Sequence, residues 1–128
     1  MLRLLRALLC ICGLAATALS AEIIAANYAT KLKFREGVAL KFPDFELSYA
    51  GKHRVAGPAF PRGWWVHDFI ARTGKAEQKL SWSSGTGDIG PTRFTVGGKS
   101  FALELSRSDK LGPLKEDEIV VSRPTGGN

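Results

Sequence analysis

The pattern of the chain predicts an all-β fold, a single small antiparallel β-sandwich or barrel after a cleaved signal peptide. Three observations carry this. Short runs of alternating apolar and polar residues recur over residues 31–122, separated by Gly, Pro and other turn formers. The pair Gly97-Gly98 stands between two such runs, the spacing of a two-residue hairpin loop. The first 21 residues read as a secretory leader rather than as part of the fold.

In "MLRLLRALLCICGLAATALSA", Arg3 and Arg6 precede an apolar run over residues 8–19, and small residues follow. Cleavage after Ser20 places Ala18 and Ser20 at the two selected positions, and cleavage after Ala21 places Leu19 and Ala21 there. A membrane-spanning helix needs about 20 apolar residues. This run is shorter, so the expectation is a periplasmic or secreted protein with no span left after cleavage. Cys10 and Cys12 both lie in the leader, outside a lipid-anchor context. Beyond residue 21 there is no cysteine, which removes thiol catalysis, thiolate metal ligation and disulfides together.

Taking 21 residues from 128 leaves 107, enough for one domain over 22–123 that buries roughly two-thirds of its extended-chain surface. The polar end, 124–128, is expected to be a disordered tail. Without Arg3 and Arg6 the 18 basic side chains fall to 16 against 12 acidic ones, a net charge of +4. The basic residues are scattered, with no long block. That argues against a nucleic-acid partner and for a protein or cell-wall polymer.

The elements follow in order. "AEIIAANYAT" is ambiguous, a short helix or an irregular lead-in. "KLKFR" puts Leu32 and Phe34 on one face, "VALKF" does so with Val38, Leu40 and Phe42, and "FELSY" with Phe45, Leu47 and Tyr49. Alternation with a wet face favours antiparallel pairing. In "FELSYAGKHRV" a three-residue turn over 50–52 would set His53 opposite Tyr49 and Val55 opposite Leu47, keeping Lys52 and Arg54 off the apolar face. "WWVHDFIAR" is apolar on both faces and reads as a central, doubly covered strand, followed by strands at "QKLSW" and "EIVVS". In "FTVGGKSF" the loop pairs Phe94 with Phe101 and Val96 with Lys99. Phe94, Val96, Phe101, Leu103 and Leu105 then share one face, with Thr95, Ser100 and Glu104 on the other.

Two stretches are candidate contact surfaces. "SSGTGDIGP" is rich in small and polar residues, and Ser83, Ser84, Gly85, Thr86 and Asp88 would let a partner approach the backbone. It has too few acids for a calcium loop and lacks the spacing of a phosphate loop. "GPAFPRGWW" offers Phe60, Arg62, Trp64 and Trp65, side-chain types that dominate interface hot spots.

The charged groups among apolar neighbours are His67 and Asp68. With His53 they form the one alternative worth weighing, a periplasmic metal site, since imidazole and carboxylate suit zinc or copper. That idea requires both histidines on one face of the sheet. A Ser-His-Asp assembly from Ser83 or Ser84, His67 and Asp68 lacks the nucleophile-elbow motif, and adjacent strand residues point opposite ways. The acids Glu116, Asp117 and Glu118 read as solvated charge before a strand. The expected function is therefore a non-enzymatic binding module without a cofactor, of the kind that serves the cell envelope or inhibits lytic enzymes.

Overall fold

A computed structural model describes residues 22–83 and 90–123. Residues 1–21, read from sequence as a leader, residues 124–128, read as a tail, and residues 84–89 lie outside the described residues. The described chain is all-β, without a helix. In chain order the strands are β1 (Glu22–Ala25), β2 (Leu32–Lys33), β3 (Val38–Lys41), β4 (Glu46–Gly57), β5 (Phe60–Thr73) and β6 (Ala76–Ser83). Then come β7 (Thr92–Val96), β8 (Lys99–Glu104), β9 (Arg107–Ser108), β10 (Gly112–Pro113) and β11 (Glu118–Ser122). They form a five-stranded sheet in the order β1-β3-β4-β5-β6, a four-stranded sheet β2-β11-β8-β7, and a two-stranded ribbon β10-β9. No ladder joins β6 to β7 among the described residues, so the barrel is not closed.

One core draws on both large sheets. Leu40, Leu47, Phe69 and Leu80 from the first meet Phe94, Phe101, Leu103 and Val121 from the second. The β7–β8 hairpin has the expected register, Phe94 opposite Phe101 and Val96 opposite Lys99. Gly97 and Gly98 take φ of 59° and 78°, the left-handed values that a two-residue loop demands and that L side chains resist.

Four expectations need correction. The lead-in is neither helical nor irregular at its start. Glu22–Ala25 pairs with β3 in parallel, so the architecture is not purely antiparallel. Ile23 and Ile24 have the β-branched stems that favour extended backbone, and the edge of β3 supplies the partner groups.

Residues 50–52 do not turn. β4 runs straight through to Gly57, and the reversal comes at Pro58-Ala59, with Gly57 opposite Phe60. The glycine read as a turn residue serves a bulge instead. The register slips between Tyr49 and Gly51, and Gly51 takes a φ of 108°. One extra residue on one strand reverses the alternation that follows. Lys52 and Arg54 thus continue the face of Leu47 and Tyr49, as their partners His67 and Trp65 show. His53 passes to the opposite face beside Val66.

β5 is central but not doubly covered. Phe69 and Ala71 are buried in the core, whereas Trp64, Val66, Asp68 and Ile70 on the other face are half-buried.

Finally, Glu104 is not on a wet face. The chain turns sharply at Ser106 (φ 66°) and folds the β9–β10 ribbon back over it. Its Oε1 accepts from the Ser108 hydroxyl at 3.0 Å and its Oε2 from the Asp109 amide at 2.8 Å. A carboxylate can be buried when its oxygens are satisfied in this way.

Candidate functional site

The bulge builds a projecting feature of the fold. β3 pairs with β4 only over residues 46–48, and β6 pairs with β5 only from Val66 onward. Residues 51–57 and 60–65 therefore project as a two-stranded arm with no strand neighbour on either edge among the described residues. Such edges invite aggregation unless charge, proline or twist blunts them. Lys52, Arg54 and Arg62 supply the charge. Pro61 falls in the irregularity between the Val55–Trp64 and Gly57–Phe60 pairs, a position that tolerates proline. Gly63 adds a second irregularity with φ of 68°, and a Cβ there would run into the Val55 carbonyl.

Two of the arm's aromatic residues are exposed. Phe60 is 52% exposed and Trp65 is 49% exposed. Phe60 meets Trp64 edge-to-face at 5.4 Å, and the Lys52 ammonium lies 4.8 Å from the Trp65 ring centroid. A cation–π contact at such an exposed site contributes about 0.5–1 kcal/mol.

At the base of the arm the two sheets part to leave an open groove of about 830 Å³. Phe34, Tyr49, Lys52, Trp65, His67 and Trp82 line one side. Lys52, His67 and Trp82 form a single row across β4, β5 and β6. The Tyr49 hydroxyl lies 3.0 Å from His67 Nδ1. Burial, helped by the nearby Lys52 charge, holds the His67 imidazole below its ordinary pKa. The indole Nε1 of Trp82 is buried without a hydrogen-bond partner. Trp82 and Tyr49 were not singled out from sequence as site residues, because their joint face depends on how β4 and β6 each pair with β5.

The opposite face of the same sheet carries a separate polar cluster. Asp68 Oδ2 lies 2.7 Å from His53 Nδ1, and Asp68 Oδ1 accepts the Ser81 hydroxyl at 2.6 Å. Burial raises the Asp68 carboxyl, but the Ser81 and His53 hydrogen bonds and the neighbouring imidazoles outweigh it. The group sits below the usual carboxylate range.

The structure does not bring the three candidate metal ligands together. His53 and Asp68 share the outer face, while His67 faces the groove, so the three never converge. Among the described residues no three His, Cys, Asp or Glu side chains could hold a metal ion. Ser83, the last residue of β6, lies opposite Val66 and so faces away from His67. Ser84, Gly85, Thr86 and Asp88 fall outside the described residues.

The fold and the site define a class only: an all-β domain with a basic, aromatic two-stranded arm beside an aromatic groove. No family model matches the chain, and neither a curated protein nor a solved structure matches it.

Proposed function

We propose that the chain is an exported, non-enzymatic binding module, a β-sandwich freed of its leader after Ser20 or Ala21, acting in the periplasm or outside the cell. It engages a component of the cell envelope through the β4–β5 arm. The observation that carries this reading is the exposure of Phe60 and Trp65 on a projecting element that the core does not need. Tryptophan and arginine are residue types that dominate contact surfaces, and here Arg62, Trp64 and Trp65 stand beside the exposed Phe60 on the arm.

Binding is favoured over catalysis by the outer-face cluster, where Asp68 lies between His53 and Ser81. The serine hydroxyl donates to the carboxylate, so it is not engaged with an imidazole base as an activated nucleophile requires.

The test places a photo-reactive benzoylphenylalanine at position 60 in place of Phe60, with position 75 in the β5–β6 turn as the control. Irradiation of cells is expected to give adducts from position 60 and none from position 75. Equal labelling from both would refute the arm as the contact surface. Loss of lysozyme inhibition with the same label would mark the inhibitor-like version of the module. The intact mass of the exported product reports the cleavage site.

A further inference from the structure

The charge pattern of the arm coincides with its geometry. Residues 55–61, "VAGPAFP", form the tip and carry no ionisable side chain. Lys52, His53 and Arg54 stand directly behind the tip on one strand and Arg62 on the other. No acidic residue occurs between Glu46 and Asp68. Ala56, Pro58, Ala59, Phe60 and Pro61 are all exposed. Trp65 pairs with Arg54 and Trp64 with Val55, so the aromatic rings stand level with the basic collar.

We propose that this tip docks onto the surface of an anionic phospholipid bilayer. The inference rests on the reading of the arm as the contact surface and names its partner. The dimensions agree. From the Arg54–Trp65 pair to the turn is about three residues, or about 10 Å at strand rise, and interfacial elements bury their apolar face about 5–10 Å into the headgroup boundary. Phe60 and the two prolines reach the edge of the acyl region. Arg54, Arg62 and Lys52 meet phosphates, and Trp64 and Trp65 take the interfacial level that indoles favour.

The backbone of a two-stranded ribbon would be costly in hydrocarbon, where unpaired N–H groups find no acceptor. Pro58, in the turn, and Pro61, one residue beyond Phe60, lack that N–H. The rest of the arm stays among headgroups and water. A collar without acids suits a phosphate surface, to which Lys52, Arg54 and Arg62 are all attracted.

Each basic side chain near an anionic surface is worth about fivefold in partition, so three give about a hundredfold preference for anionic over neutral vesicles. That preference falls steeply with salt.

The test uses the chain as the cell exports it, with phosphatidylcholine vesicles made with and without phosphatidylglycerol. Co-sedimentation measures partition, and bromine-labelled acyl chains report tryptophan depth by quenching. The wild-type chain is expected to bind the anionic vesicles and to be quenched. Arg54→Gln/Arg62→Gln is expected to lose roughly 25-fold in partition. Phe60→Ser is expected to lose most of the quenching at unchanged melting temperature. Lys75→Gln, at the far end of β5, is the control for net charge and is expected to cost less than fivefold.

Equal binding to both vesicle types would overturn the proposal. So would unchanged quenching in Phe60→Ser, or an equal loss from Lys75→Gln and the collar variant. Vesicles left unbound while position 60 still cross-links a discrete protein or glycan would sink the lipid inference and leave the binding module standing. No vesicle binding and no cross-link would sink both.

Discussion

The His67 imidazole sits below its ordinary pKa because it is buried in the groove and lies beside the Lys52 ammonium. The folded state therefore binds fewer protons at this group than the unfolded chain does. Stability from it is fully present above about pH 6.5, the unfolded value, and is lost as pH falls through the lower folded value. A His67→Gln variant should lack that limb of the urea-midpoint profile, while wild type declines from near-neutral pH downward. An identical slope in both would remove His67 as the source. Asp68 acts with the same sign at lower pH. Its carboxyl is held below the usual range, so its contribution is present above about pH 3.9 and is lost further into acid. The two neighbours thus titrate on opposite faces of one strand, in surroundings that sequence adjacency says nothing about.

At the level of elements, the arm and the β7–β8 hairpin are opposites. The hairpin is held by Phe94, Phe101 and Leu103 in the core, and each such side chain contributes about 1.5–3 kcal/mol when removed from water. The arm has only its own ladder and the ring contacts of Phe60, Trp64 and Trp65. Hydrogen exchange should separate them. Amides of residues 52–56 are expected to exchange through local opening, largely independent of denaturant. Those of Phe101, Leu103 and Val121 are expected to exchange only with global unfolding. Equal protection in both would mean that the arm packs on the body. The hairpin was legible in sequence because its turn chemistry and its alternation agree. The β4–β5 pair was not, because Gly51 satisfies a turn and a bulge equally well. What decided was the ladder that a continuous β4 makes with β5.

For the whole molecule, one contiguous core spanning both sheets implies one cooperative unit. With both cysteines in the first 21 residues, no disulfide supports residues 22–123. Phe101 is fully buried, stacks with Tyr28 and packs against the tilted ring of Phe45. Phe101→Ala is expected to cost about 3–5 kcal/mol, a large share of the roughly 5–15 kcal/mol that a domain has. Urea transitions followed by tryptophan fluorescence and far-UV circular dichroism should coincide and shift together. Separate transitions would show that the two sheets unfold independently.

The strand class, the β7–β8 register and the apolar faces of β3 and of the first part of β4 were all readable from the chain. Period-two alternation, Gly-Gly turn chemistry and residue type are local quantities, and local quantities are written in sequence. The parallel addition of β1, the bulge that carries β4 past Gly51, the burial of Glu104 and the separation of His53 from His67 were settled only by tertiary structure. Each depends on which distant strand supplies a hydrogen-bonding edge or a covering surface. A one-residue slip on such an edge reverses every side chain beyond it.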